Sequence, residues 1–252
     1  MGRIIDRRRV MGKKLPYDAE IEYLESTGTQ YIKTNFTPNY NTTIESEVYL
    51  PDFASYKHYI YGAGTSYSNN NMEVYTWYNV TMNVNGNRSL SIGGVPTTEF
   101  IKLFMSSSRI SISNHQNELI AESTFTTDDF TCTSSLILFG IQRTSIDVGW
   151  DKIKSIKVNN GNIPVLDFIP VRIGTTGYMY DKVSKQLFGN RGTGEFILGP
   201  DVTSSNSWNS KAALWGKEIL YGYAATNKIT INSLITVKEV EEYNYKVDYS
   251  EN

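Results

Sequence analysis

Residues that carry chemistry are scarce in this 252-residue chain. Its single cysteine, Cys132, excludes an intrachain disulfide. With only two histidines, His58 and His115, one chain cannot complete a structural zinc site of the usual kind. No Gly-x-Ser-x-Gly elbow is present to hold a serine nucleophile. There is also no Glu-x-Asp-x-x-Glu strand, in which a period of two would aim three acids into a glycosidase cleft. The pairs Glu20/Glu22 and Glu45/Glu47 instead fit the solvent face of an outer strand. These absences predict a protein that is not an enzyme. No apolar stretch approaches the roughly 20 residues needed to cross a bilayer, so no membrane partner is expected. Residues 1–18 lack the apolar run of about 7–15 residues that makes a signal peptide, so the chain is expected to be made in the cytoplasm. A net charge of −2 gives the chain as a whole no electrostatic case for a nucleic-acid partner.

What the chain does have is tyrosine, 18 residues against 10 phenylalanines, together with abundant Thr, Ser, Asn and Gly. Tyr suits a pleated, half-buried surface and the small polar residues suit turns, so an all-β chain is predicted. Alternation of apolar and polar residues marks the strands. Ile44, Ser46, Val48 and Leu50 oppose Thr43, Glu45, Glu47 and Tyr49. Similar runs are expected at 19–24, 30–34, 58–63, 72–77, 80–84, 89–92, 99–105, 109–113, 118–123, 153–159, 163–172, 178–182, 186–189 and 195–198. Asn85-Gly86, between two such runs, predicts a tight hairpin with positive φ, and 114–117 predicts a second. The continuous apolar run Leu136–Ile141 reads as one strand buried on both sides. Strands every 8–12 residues are the pattern of a two-sheet antiparallel sandwich.

Charge is polarised at the two ends. Arg3, Arg7, Arg8, Arg9, Lys13 and Lys14 stand against Asp6 alone, while residues 238–252 carry Glu239, Glu241, Glu242, Asp248 and Glu251. Residues 1–17 are read as a basic N-terminal arm, which is either solvated or docks on a neighbouring subunit. Residues 18–200 form the sandwich. Residues 201–252 form a polar linker and a small β-rich subdomain, in which Ile229, Ile231, Ile235 and Val237 need covering. One way to cover them is another copy of the chain, so a homo-oligomer is expected.

Two segments carry a family resemblance. The run Glu20-Ile-Glu-Tyr-Leu-Glu-Ser-Thr-Gly-Thr-Gln-Tyr-Ile32 closely resembles the opening of a concanavalin A-like, laminin-G-type sandwich family common in gut Bacteroidales and their phages. Leu166-Asp-Phe-Ile-Pro-Val-Arg172, Gly177-Tyr-Met-Tyr-Asp-Lys-Val183 and Leu187-Phe-Gly-Asn190 resemble its closing strands. The likeness runs from about Asp18 to Asp201 and implies a concanavalin A-like jelly roll. With the basic arm and the lack of an export signal, it implies a phage virion component: a head fibre, a capsid decoration or a tail-associated protein, with other virion proteins as partners. The alternative it leaves open is a carbohydrate-binding, lectin-like module of a gut bacterium. Within the motifs, Ser26-Thr-Gly-Thr29 is read as a tight corner, and Asp167 as a turn cap or a partner of Arg172.

The best candidate ligand is a host-surface glycan. Sugars need aromatic faces to stack on and amides or acids for their hydroxyls. Tyr75, Trp77 and Asn79 share one face of a strand, and the loop carrying Tyr67 is placed to reach it. In the competing reading Trp77 is core and Tyr78 a plain exposed strand residue. No cofactor is required, although Asp128-Asp129 and Asp147 with Asp151 are loop acids of the kind that bind calcium. Such aspartates also make turns through their own backbone.

Overall fold

The computed structural model of the protein describes residues 15–50, 57–86 and 88–202. The chain divides into two compact units, Met1–Asp201 and Val202–Asn252. The predicted C-terminal strands and residues 1–14 of the basic arm lie outside the described residues.

Every regular element among the described residues is a strand. The chain opens with β1 (Ala19–Glu20), β2 (Leu24–Glu25), β3 (Ile32–Lys33) and β4 (Thr42–Tyr49). Next come β5 (His58–Ala63), β6 (Met72–Trp77), β7 (Asn79–Val84) and β8 (Arg88–Ile92). A hairpin pair follows in β9 (Phe100–Met105), β10 (Arg109–Asn114) and β11 (Leu119–Thr124). The second half holds β12 (Ile137–Leu138), β13 (Gly140–Gln142), β14 (Ile146–Val148), β15 (Lys152–Asn160) and β16 (Ile163–Ile173). It ends with β17 (Thr176–Asp181), β18 (Gln186–Phe188) and β19 (Ile197–Leu198).

These strands form two main sheets and a ribbon. The larger sheet runs β11-β10-β9-β4-β15-β16-β17-β18, with β1 on β16, β2 on β15 and β19 on β2. The smaller runs β3-β12-β5-β6-β7-β8, and β13-β14 make the ribbon. All pairs are antiparallel, and the distant partners β4-β15 and β3-β12 show that the sheets are closed by returning strands rather than by hairpins alone. The period of two makes the core. Ile44, Val48, Ile101, Leu103, Met105, Ile156, Val158 and Phe168 of one sheet share a single buried cluster with Ile60, Tyr61, Val74, Val80 and Met82 of the other. Across this interior the Tyr61 and Ser46 hydroxyls hydrogen-bond at 3.1 Å, so the one polar group that Tyr61 buries is satisfied.

Two irregularities keep faces aligned. The register of β5 on β6 shifts between Tyr59 and Tyr61, which lets Ile60 and Tyr61 both join the core while Tyr59 lies on the opposite face beside Tyr75, where it too is buried. A matching shift in β15 between Ile153 and Ser155 returns Ile156 to the inner face. The two predicted hairpins form: Asn85 and Gly86 have φ of 51° and 79°, and Asn117 has 70°.

The structure corrects several expectations. The run Leu136–Ile141 is buried but is not one strand: Phe139, at φ 61°, breaks it into β12 of the smaller sheet and β13 of the ribbon. The expected strands at 19–24 and 30–34 shrink to short pairs, because their backbone bonds go to other segments of the chain. Asp167 pairs with Lys182 at 3.2 Å, whereas Arg172 forks onto Asp201.

The opening and closing motifs meet. Ser26 Oγ donates to Gln30 O and accepts from Gly28 N, which builds the corner. The closing loop then seals it: Asn190 Oδ1 accepts from Tyr31 N, Arg191 N donates to Tyr31 O and Thr193 N donates to Thr29 O. Gly28, at φ +94°, lies under the Trp150 indole, so a Cβ there would fall 1.4 Å from Nε1. Gly28→Ala combines a disfavoured backbone with this clash and is expected to destabilise the fold by about 2–5 kcal/mol, with a changed tryptophan emission, in chemical unfolding followed by fluorescence.

Candidate functional site

The outer face of the smaller sheet carries the site. In β6 the residues Met72, Val74 and Thr76 turn inward and are buried, which leaves Glu73, Tyr75 and Trp77 on the outer face. Trp77 is 51% exposed, so the core reading of this residue fails. Its cross-strand partner is Asn79 on β7, Tyr75 faces Thr81, and on the other side Tyr75 faces Tyr59 of β5. The β6–β7 connection is the single residue Tyr78, held at φ 58° and exposed. This tight reversal is what brings Asn79 beside Trp77. A Cβ at Gly93 would lie 2.8 Å from Asn79 Oδ1, so glycine there gives the Asn79 amide its place.

Tyr67 arrives on the loop 64–71, where it is 57% exposed. Arg143, at the tip of the β13–β14 ribbon, pins that loop. One of its amino groups donates to Gly64 O at 2.7 Å and Ser66 O at 2.8 Å, and its guanidinium lies 4.2 Å from the Tyr67 ring centre. Its other amino group pairs with Glu73, and both side chains are buried. Glu73 also accepts from Asn83 Nδ2 at 3.0 Å. Burial holds Glu73 above the usual carboxylate range, although Arg143 and Asn83 pull it back. Lys57 completes the group: its Nζ lies 4.1 Å from the Tyr75 ring centre, 5.2 Å from Tyr67, 5.7 Å from Tyr59 and 5.8 Å from Trp77.

The structure therefore places Tyr67, Tyr75, Trp77 and Asn79 on one surface, around a lysine that sequence reading passed over. Lys57 had a visible signal, because it opens the tyrosine-rich run Lys57-His-Tyr-Ile-Tyr61. Arg143 had none, since its partners at Gly64 and Glu73 lie 79 and 70 residues away.

The other titratable groups are otherwise engaged. His58 faces inward against Trp150, with ring centres 4.7 Å apart, and burial holds it below the usual histidine range. His115 lies on the exposed β10–β11 turn against Glu99. Burial pushes the Cys132 thiol up to about 12, which leaves it inert at neutral pH. Asp128 and Asp129 are exposed, Asp147 is half-buried and Asp151 is fully buried. Among the described residues no three His, Cys, Asp or Glu side chains are grouped to hold a metal. A groove of about 570 Å³ on the larger sheet is lined by Glu45, Glu47, Lys102, Phe104, Lys157 and Asp167 among others. It offers one aromatic ring among mixed charges, which makes it a poorer stacking surface than the tyrosine and tryptophan patch.

No family model matches the chain, and no curated protein matches it. Solved structures do. One is a Bacteroides ovatus protein for which carbohydrate binding has been suggested, with a TM-score of 0.51 and 12% identity over 73% of this chain. The fold is a concanavalin A-like jelly-roll sandwich. The chain spans 61% of that protein's length, and at 12% identity the likeness gives the fold alone. Looser likenesses are to a heptameric pentraxin of Limulus polyphemus (TM-score 0.45, 12% identity, 75% of this chain and 98% of that one) and to tailspike protein 2 of an Escherichia coli O157:H7 bacteriophage (0.39, 14%, 62% and 27%).

One buried group outside the platform has a measurable consequence. Neither Asp151 carboxyl oxygen has a hydrogen-bond partner among the described residues, and burial raises its pKa from 3.8 to about 7. The folded state therefore favours the neutral acid. The stability this group allows is complete below pH 3.8 and is lost as pH rises through about 7. Asp151→Asn removes the titration. Relative to wild type, the variant is expected to gain about 4 kcal/mol between pH 4 and pH 8, read from unfolding free energies at each pH.

Proposed function

We propose that this chain is a non-catalytic, carbohydrate-binding sandwich that serves as a surface component of a phage virion. The observation that carries the carbohydrate reading is the exposed platform of Trp77, Tyr75 and Tyr67, with the Asn79 amide at its edge. Pyranose rings present a C–H face that packs on such rings, while amide groups take the hydroxyls. A flat platform with few polar groups binds without needing a deep cavity.

Supporting the non-catalytic part of the reading, the carboxylate nearest the platform by register, Glu73, is buried and held by Arg143 and Asn83. An acid so enclosed has no route to a glycosidic oxygen, and a retaining glycosidase needs two carboxyls about 5–5.5 Å apart, both reaching the substrate. The virion part of the reading is supported by the resemblance of the opening and closing motifs and by the basic residues Arg3, Arg7, Arg8, Arg9, Lys13 and Lys14, which suit docking on an acidic neighbour.

Trp77→Ala removes the exposed ring without opening the core. Affinity electrophoresis in polysaccharide gels is expected to show retardation of the wild type and its loss in the variant, with thermal midpoints within about 2 °C of each other. Retardation that survives the substitution would refute the platform. Removing residues 1–14 is expected to abolish incorporation into particles, scored by immunoblotting of purified virions; unchanged incorporation would refute arm docking.

A further inference from the structure

Five cationic side chains among the described residues lie over aromatic rings: Lys57, Arg109, Arg143, Lys152 and Lys154. Four of them also hold a carboxylate. Arg109 pairs with Glu122 at 2.7 Å, Arg143 with Glu73, Lys152 with Glu25 at 3.4 Å and Lys154 with Glu47 at 2.8 Å. Lys57 is the exception. Its ammonium is approached by four rings, more than any of the others, yet no carboxylate among the described residues lies within ion-pair distance. Two carboxylates act on it from beyond ion-pair distance: Glu73, which is committed to Arg143 and Asn83, and the half-buried Asp147 of β14.

An ammonium in this position has given up part of its water to aromatic faces, which return less than a full ion pair would. Burial accordingly shifts it below the ordinary lysine range. A second cation is nearby, but it is not available: Arg143 spends its amino groups on Gly64 O, Ser66 O and Glu73. Arg143 holds the loop that carries Tyr67, and Lys57 stands among the platform's rings with no direct ion pair among the described residues.

We propose that Lys57 is the anion-recognition element of this site, and that the ligand is an acidic saccharide whose carboxylate or sulfate meets the Lys57 ammonium while its ring stacks on Trp77 and Tyr75. The inference rests on the carbohydrate reading above and narrows it to one ligand class. A sugar seated on Trp77 brings its exocyclic acid toward an ammonium only 5.8 Å from the same ring centre. A neutral sugar would cover that ammonium without pairing it, so the site discriminates by charge as well as by stacking.

The test uses the full chain with three acidic probes and one neutral probe: polygalacturonate and polysialic acid as carboxylates, heparan sulfate as the sulfated arm, and dextran. Lys57→Met keeps the apolar stem and removes the charge, and Lys57→Arg keeps the charge. Wild type is expected to bind at least one acidic probe, with binding weakened tenfold or more by Lys57→Met or by raising NaCl from 50 to 500 mM, and retained in Lys57→Arg. Equal thermal midpoints show that the methionine variant is folded. If acidic probes bind equally well after Lys57→Met, or if dextran alone binds, the proposal is overturned while the platform reading stands. If none of the four binds wild type, the platform reading falls with it.

Discussion

Two sheets share one apolar interior, so each strand must give alternate residues to it and keep the others outside. Everything else about this molecule follows from how strictly that division is kept. Where an outer-facing residue is small or polar, the surface is unremarkable; where it is aromatic, a platform results. In β6 the same six residues supply Met72, Val74 and Thr76 to the interior and Glu73, Tyr75 and Trp77 to the outside. The shift between Tyr59 and Tyr61 shows the cost of the rule. Without it, either Tyr61 would lose its reach to Ser46 across the core or Tyr59 would leave the outer face beside Tyr75.

The buried pair of Arg143 and Glu73 sits at the boundary between these two demands. Desolvating both charges is expensive, and their attraction recovers that cost only with good geometry and further hydrogen bonds. Here Gly64 O, Ser66 O and Asn83 supply such bonds. What the pair achieves is connection: it ties the β13–β14 ribbon, the 64–71 loop and β6 to one point. The loop is also tied near its ends, by Gly64 to Ser134, Thr65 to Thr133 and Asn70 to Asn85, and Arg143 adds the hold at Ser66 beside Tyr67. The ion pair is therefore better understood as fixing the platform's shape than as a source of net stability.

Much of the sandwich was legible because strands on a half-buried sheet write their burial into a period of two. Ile44, Ser46, Val48 and Leu50 announced an inner face, and all four are buried. The Asn85-Gly86 turn was equally plain, because few residue pairs accept positive φ twice. The break at Phe139 was not legible. A run buried on both sides has no alternation to lose, so nothing in Leu136–Ile141 marked where the chain left one sheet for the ribbon. The same limit governed the site. Tyr75, Trp77 and Asn79 are neighbours in sequence and could be grouped on a face, whereas Arg143 joins them only through contacts made by the folded chain. Asp151 was visible as a loop acid but not as an isolated buried one, since burial there is set by segments far away along the chain.

The seal between the two ends of the sandwich bears on the order in which the molecule assembles. Tyr31 waits for Asn190, a separation of 159 residues, and Thr29 for Thr193, a separation of 164. A ribosome must therefore release nearly the whole sandwich before the first corner can be locked from the other end of the chain. Such non-local pairing is the kind that lowers folding rates, even though the local hairpins between the two ends shorten the loop that has to close.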